Sequence, residues 1–368
     1  MQLNPSLFKD KTILVTGHTG FKGAWLSLWL NQMGAHVIGF SLEETSKPSL
    51  FTLLDLSHHI VDVRGDIRDQ RFLAETFDTY APEIVIHLAA QSLVLPSYQN
   101  PKETFETNFN GTLNLLEEIR KNQSVQAALI ITSDKCYHNH EWTWGYREND
   151  RLGGDDPYSC SKAVAELLVN SYQLSFFPQG IHPCIATARA GNVIGGGDFS
   201  EHRIVPDIIS SLINHEPVHV RNPQSVRPWN YVLDTLFGYL LLVDKMLTEP
   251  QGIAGAWNFG PRERGGISVR QLVKKVLQEW GEGAFLEKQD LPKKEKKNLQ
   301  LNWDKAANHL GWQPACDWEA AVTETVLWYK GFSQGDHPHT LSVESIQRYL
   351  VKRETVDQSI SQELAIKS

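Results

Sequence analysis

The residues Thr12–Gly23, TILVTGHTGFKG, decide the fold. Thr12–Thr16 (TILVT) is a short apolar run, the composition of a strand buried on both faces. Gly17, Gly20 and Gly23 follow at G-x-x-G-x-x-G spacing. From Phe21 the apolar residues Trp25, Leu28, Trp29 and Met33 recur at helical spacing. Strand, glycine turn and helix in direct succession make an anion cradle. Gly17 permits the tight turn, Gly20 lets a pyrophosphate approach the backbone, and Gly23 lets the helix pack close to the sheet. The helix start adds free N–H groups and the positive end of its dipole. A dinucleotide is the expected occupant, with Phe21 beside it and His18 either touching the pyrophosphate or facing solvent.

Outward from the cradle, short apolar runs alternate with amphipathic stretches. Strands are expected at His36–Phe40, Val61–Val63, Ile84–Leu88, Ala128–Thr132 and Cys184–Arg189. Helices are expected at Asp69–Tyr80, with Phe72 and Phe77 inward, at Pro101–Lys121 and at Pro157–Phe176. This rhythm means right-handed crossovers and a parallel sheet covered on both faces. The fold class is α/β, a Rossmann-type doubly wound sheet followed by a smaller C-terminal α/β substrate-binding domain. Residues 1–190 form the first unit. Residues 191–352 form the second, some of whose segments return to the sheet, and 353–368 is a polar tail expected to fray. In the second unit Gly191–Gly197 (GNVIGGG) reads as a flexible loop. Helices are expected near His202–His215, Tyr231–Met246, Val269–Trp280 and Trp318–Trp328, with strands near Val218–Val220 and Trp257–Phe259. The charge run Lys293–Lys297 reads as solvated surface.

Composition narrows the partners. The 368 residues carry 35 Lys+Arg against 43 Asp+Glu, a net charge of −8, with no basic block to hold nucleic acid or an anionic membrane. No apolar run is long enough to span a bilayer, and the first residues lack a signal-peptide core. Cys136, Cys160, Cys184 and Cys316 are widely spaced and read as reduced thiols in a cytoplasmic protein. Cys136, His138 and His140 cluster without four-ligand spacing, so no metal is expected.

Two motifs carry chemistry. Tyr158-Ser159-Cys160-Ser161-Lys162 puts a phenol and an ammonium on one helix face. A free phenol has a pKa of about 10 and needs a neighbouring cation to act as a base at neutral pH. Thr132-Ser133-Asp134-Lys135 closes the fifth strand, where open parallel sheets bind ligands. Ser133 can steer a proton to Tyr158, and Asp134 and Lys135 supply an acid–base pair. After the third strand, Asp66 and Ile67 stand where an adenine would meet them. After the fourth, Leu88, Ala89 and Ala90 leave room for a cofactor. No acid follows the second strand until Glu43, and no Arg stands there as a 2′-phosphate clamp, so NAD is favoured over NADP only modestly.

With these motifs the chain resembles the extended short-chain dehydrogenase/reductase family and, within it, the sugar-nucleotide 4,6-dehydratases, over about residues 8–350. The marks are TGHTGFKG (Thr16–Gly23), HLAAQSLV (His87–Val94), TSDKCY (Thr132–Tyr137), YSCSK (Tyr158–Lys162), ARAGNVIGGGD (Ala188–Asp198) and VRPWNYV (Val226–Val232). The dTDP-glucose and GDP-mannose branches usually carry Asp-Glu where this chain has Asp134-Lys135, which fits the CDP-glucose branch. The resemblance implies a hydro-lyase that uses bound NAD, with Ser133, Asp134, Lys135, Tyr158 and Lys162 catalytic. It implies CDP-glucose as substrate, with Ser92 and Leu93 on the glucose and Asn192, Arg203 and Arg227 on the sugar or diphosphate. It also implies a homodimer, or a higher oligomer, paired through the helices near Pro101–Lys121 and Pro157–Phe176. Base selection near Val218–Val220 is an expectation only. Other readings stay open: a dTDP- or GDP-sugar dehydratase, a 4-epimerase or reductase, which needs no acid beside Ser133, and a non-catalytic dinucleotide sensor.

Overall fold

The computed structural model describes residues 3–178, 180, 182–201, 203–220, 222–263, 265–287 and 299–367, with side chains to residue 358. The expected charge run Lys293–Lys297 and the expected helix start at His202 lie outside the described residues.

Six of the expected strands form as β1 (Thr12–Thr16), β2 (His36–Ser41), β3 (Val61–Arg64), β4 (Ile84–His87), β5 (Ala127–Ile131) and β6 (Cys184–Ala190). A seventh, Gly255–Phe259, joins them from the second half of the chain, and the sheet order is Gly255–Phe259, β6, β5, β4, β1, β2, β3. All neighbours are parallel. The order reverses between β1 and β4, the crevice where doubly wound sheets bind their ligands.

Alternation along each strand builds two cores. Ile13, Val15, Ile84, Ile86, Leu129 and Ile131 pack on one face with the helices Phe21–Gln32 and Val232–Thr248. Leu14, Val85, Ala128 and Ile130 pack on the other with the helices Gln70–Tyr80 and Gly111–Lys121. Both faces are therefore dry, which is why β1 reads as a continuous apolar run.

Three parts depart from expectation. The helix read as Pro101–Lys121 is helical at Pro101–Phe105, makes a π turn at Glu106–Asn110, and resumes at Gly111–Lys121. The turn lets the buried Asn108 bond Gln91 through both its N–H and its carbonyl, and Ser161 Oγ at 2.8 Å. Gly191–Gly197 is a packed segment, not a flexible loop. Asn192–Ile194 pairs with Trp229–Tyr231. A Cβ at Gly196 would lie 2.1 Å from Trp328 Cγ, so only glycine admits the Trp328 indole there. Finally, the stretch from Arg353 continues the helix Pro338–Lys367. Arg353 and Asp357 are buried, paired at 2.7 Å, and Arg353 lies 4.9 Å over the Phe237 ring.

Beyond residue 190, the strand pairs Val226–Arg227 with Ile267–Ser268 and Val218–Val220 with Phe285–Glu287 stand outside the main sheet. Asp234 locks this half together by accepting the amides of Ala315 and Cys316 and the Tyr349 hydroxyl. Among the described residues no helix is long and apolar enough to cross a membrane.

Candidate active site

Each glycine of the cradle does separate work. Gly17 has φ +75°, and a Cβ there would lie 2.7 Å from Ala89 N, so the turn after β1 rests directly on the segment after β4. A Cβ on Gly23 would lie 2.1 Å from Gly17 O, so only glycine lets the helix Phe21–Gln32 start this close to the turn. Gly20 faces open space, its nearest such contact being Gly17 O at 3.4 Å. The helix has no side-chain cap and no acid in its first turn. Its N–H groups and dipole are thus left for an anion, and the backbone fits a dinucleotide pyrophosphate.

His18 corrects its reading. Its side chain is fully buried, with Nε2 on Asp62 Oδ1 at 2.8 Å and the ring against Gly39 and Phe51. Burial lowers its pKa against the pull of Asp62. It does not face solvent, and only its backbone takes part in the turn. The reading of the second strand's end also needs an addition. Arg64, from β3, reaches Leu42 O at that edge, yet it is engaged by Asp62, Glu44 and Glu43 at 2.8, 2.9 and 3.2 Å. Three carboxylates thus engage the Arg64 guanidinium, so it does not stand as a free clamp for a 2′-phosphate. Asp66 forms an ion pair with Arg68 at 2.6 Å, and Ile67 is buried against Gly111. Leu88, Ala89 and Ala90 are half-buried at the end of β4.

The chemistry gathers at the ends of β5 and β6. Ser133 Oγ donates to Asp134 Oδ1 at 3.0 Å and accepts Lys135 N–H at 3.2 Å. Asp134 is buried, and burial raises its pKa against Lys135 and the Ser133 bond. Gly191 ends β6 beside it, where a Cβ would lie 3.1 Å from Asp134 Oδ2. Asp156 caps the helix Pro157–Phe176 by accepting Ser159 N–H at 2.9 Å, which sets Tyr158 and Lys162 at its start. The Tyr158 phenol lies near Ser133, which pulls its pKa down. Burial nonetheless pushes the phenol up to about 12, where the sequence led us to expect a lowered value. Lys162 Nζ donates to Ile131 O at 3.3 Å, and burial brings it down to about 8. One turn on, Glu166 is buried with Arg189 at 2.8 Å and also takes hydrogen bonds from Thr132 and Thr187. Burial alone would raise the Glu166 carboxyl, but Arg189 with the Thr132 and Thr187 hydroxyls outweighs it and holds the carboxylate charged close to Lys162. Lys135 is half-buried beside Asp134.

Arg203 precedes the helix Ile204–Ile213, bonds Asp198 at 3.0 Å, and its charge reaches Tyr158. Arg227 acts on Asp134 through its charge. Asn192 adjoins Gly191. Ser92, exposed, and Leu93 follow Gln91, which Asn108 ties to the Tyr158 helix. Val218 and Val220 are core residues, so their side chains cannot read a base. Asn108 and Lys22 were missed. Lys22 follows Phe21, is half-buried, and faces Lys162, Arg203 and Asp134; burial lowers it to about 7. The only sequence signal for it was a charge inside an otherwise apolar cradle motif.

Comparison with known proteins agrees with this geometry. The sequence model described as GDP-mannose 4,6 dehydratase matches residues 14–325. A CDP-glucose 4,6-dehydratase of Salmonella typhimurium is 42% identical over 354 residues, covering 95% of this chain and 98% of that protein. A dTDP-glucose 4,6-dehydratase of Xanthomonas campestris is 28% identical, covering 86% and 93%. Among solved structures, UDP-glucose 4-epimerase of Thermotoga maritima superposes with a TM-score of 0.76 at 24% identity, covering 87% of this chain and 99% of that one. The dTDP-glucose 4,6-dehydratase of Bacillus anthracis, in complex with NAD, gives 0.73 at 20% identity, covering 89% and 99%. Both structures share the fold.

Proposed function

The chain belongs to the GDP-mannose 4,6-dehydratase family, and from that premise we propose that it is an NAD-dependent hydro-lyase converting CDP-glucose to CDP-4-keto-6-deoxyglucose. The observation that carries the reading is the buried acid Asp134, hydrogen-bonded by Ser133 and close enough to Tyr158 to act on it through its charge. Elimination of the 6-hydroxyl needs a proton donor near neutral pH, and burial favours the protonated form of Asp134. An epimerase has no use for such an acid. The nucleotide is supported by the 42% identity to a CDP-glucose 4,6-dehydratase and by Lys135 after Asp134.

NAD, when bound in the cradle, would supply the acceptor for the hydride from glucose C4 and, once reduced, the donor for C6. Gly17, Gly20, Phe21 and Gly23 would hold its pyrophosphate, Asp66 and Ile67 its adenine, and Leu88, Ala89, Ala90, Tyr158 and Lys162 the remainder. Ser133 orients the 4-hydroxyl, and Tyr158 takes its proton. It does so as a phenolate, which the charge of Lys162 stabilises, and becomes the neutral phenol. Once C4 is a ketone, the C5 proton becomes acidic. Lys135, or a water it positions, removes it while Asp134 protonates the departing 6-hydroxyl as water. The C5 base finally returns a proton. Lys135→Met should leave C4 oxidation but suppress solvent deuterium uptake at C5, read by NMR of the product; undiminished uptake excludes Lys135 from that step.

Residues 1–190 carry the cofactor and the reacting groups, and 191–352 the nucleotide sugar. Arg203 and Arg227 would take the diphosphate, and Asn192, Ser92 and Leu93 the sugar side. Among the described residues Pro101–Lys121 exposes no large apolar side chain, but the helix Pro157–Phe176 exposes Leu167, Leu174 and Phe176, apolar surface available to a homodimer. Sedimentation would measure it. The free thiols suit the cytoplasm. The direct test is incubation with CDP-, dTDP-, UDP- and GDP-glucose plus NAD. A 4-keto-6-deoxy product from CDP-glucose foremost is expected. Preference for another nucleotide would reassign the substrate, and a 4-epimer would reassign the reaction.

A further inference from the structure

Lys162 is a cation placed where charge is costly. It is buried near the start of the helix Pro157–Phe176, where Nζ donates to Ile131 O at 3.3 Å. A neutral carbonyl does not offset a buried charge. The titratable groups that act on Lys162 come from four elements: Glu166 from its own helix, Cys136 from the turn after β5, His87 from β4 and Lys22 from the helix Phe21–Gln32. Burial lowers His87 to about 3 and raises Cys136 well above the usual thiol range, so both are neutral near pH 7. Lys22 can add only positive charge. Among the described residues, Glu166 is therefore the anion on which Lys162 depends.

The fold fixes that anion in place. Glu166 stands four residues beyond Lys162, so the two share one helix face. That face lies against the end of β5, where Lys162 bonds Ile131 O and Glu166 accepts the hydroxyl of the next residue, Thr132. β6 holds the carboxylate as well. Thr187 donates to Oε2 at 2.7 Å. Arg189, two residues on and so on the same strand face, donates to Oε1 from Nε at 2.9 Å and to Oε2 from Nη2 at 2.8 Å. The remaining arm of Arg189 is taken up by Tyr137 Oη at 2.6 Å and Glu148 O at 3.0 Å. A buried ion pair adds little stability over apolar side chains of similar volume. Its place beside Lys162 gives this one a use.

We propose that Glu166 is a positioning residue for the reaction: its carboxylate, clamped by Arg189, keeps the proton of the Tyr158–Lys162 pair on the amine, so that Tyr158 can serve as the phenolate. This role rests on the hydride-transfer reading above, in which that phenolate takes the proton of the 4-hydroxyl. Were Glu166 neutral, the pair would hold the same proton on the phenol and leave the buried amine uncharged. Lys162 is charged below about 8 and loses its charge above it. Removing the anion that raises it moves this loss down into the neutral range.

The titration of Lys162 itself tests this without turnover. Carbon-13 NMR of the lysine ε-methylenes, with Lys162→Met to assign the signal, gives its midpoint in the wild type, Glu166→Gln and Glu166→Asp. Glu166→Gln should lower the midpoint by about one unit. Glu166→Asp, which keeps the charge, should leave it close to the wild type. In keto-sugar formation from CDP-glucose near pH 7, Glu166→Gln should lose roughly tenfold in kcat with KM almost unchanged, and Glu166→Asp should recover most of that loss. A merely structural role would depress both variants and leave the Lys162 midpoint where it was, which overturns the proposal. A lowered midpoint with kcat unchanged overturns it as well. If Glu166→Gln does not fold with Arg189 left unpaired, the double variant Glu166→Gln with Arg189→Met removes both charges, and an unshifted midpoint there is equally fatal. A wild type that forms no keto sugar, while its Lys162 midpoint still falls on Glu166→Gln, would instead sink the parent reading.

Discussion

Two glycine-rich segments follow parallel strands in this molecule, and they do opposite things. Gly17–Gly23 after β1 leaves backbone open: Gly20 has nothing but Gly17 O within reach of a would-be Cβ. Gly191–Gly197 after β6 leaves none open. Its glycines admit Asp134, Val232, Trp328 and Leu50 to contact with the main chain. Glycine spacing alone therefore does not announce a ligand. What separates the cases is what the missing side chain would have met, and in the second segment that is the protein itself.

The comparison can be broken by adding the missing atom. The largest effect is expected for Gly23→Ala, because its Cβ would meet the backbone of Gly17, which cannot swing aside. NAD affinity should fall on the order of a hundredfold, about 2.7 kcal/mol, as measured by titration calorimetry. Gly196→Ala should act on stability instead. Its Cβ meets the Trp328 indole, and overpacking of this kind costs about 2 kcal/mol, readable in denaturant unfolding, with NAD affinity of the folded fraction unchanged. Gly20→Ser sharpens the contrast with the smallest effect. Gly20 has φ −77°, which any residue adopts, and Ser caps helices well. Stability should hold or rise by a few tenths of a kcal/mol, while NAD binding weakens roughly fivefold because the side chain enters the open space. Equal losses of stability at Gly20 and Gly196 would erase the distinction.

The same contrast explains what was legible beforehand. β1, β2, β4 and β6 sit within a residue or so of the apolar runs that announced them, because a strand buried on both faces has no other composition. Pro157–Phe176 is bounded by Asp156 and Pro157, a cap and a first-turn residue that act locally. That Tyr158, Lys162, Ser133 and Asp134 would gather at one end of the sheet could be read because they sit in short motifs on those elements. The misses depend on distant partners. His18 is packed against Gly39 and Phe51 and bonded to Asp62, Gly196 is closed by Trp328, and Lys22 faces Lys162, Arg203 and Asp134. The π turn at Glu106–Asn110 serves bonds from Asn108 to Gln91 and Ser161, which no helical periodicity encodes. The C-terminal helix misled by its polar surface. Yet Ile346, Tyr349, Arg353 and Asp357 fall at helical spacing and are all buried, so the stripe was present but half of it is charged.

The central claim is that one pocket moves a hydride from C4 to C6 of the same sugar and recovers its NAD. CDP-glucose deuterated at C4, incubated with the protein and NAD, tests it most directly by NMR of the product. Deuterium at C6 of CDP-4-keto-6-deoxyglucose, without net formation of NADH, is the expected result. A keto sugar lacking deuterium at C6, or NADH formed in proportion to the sugar consumed, would contradict it.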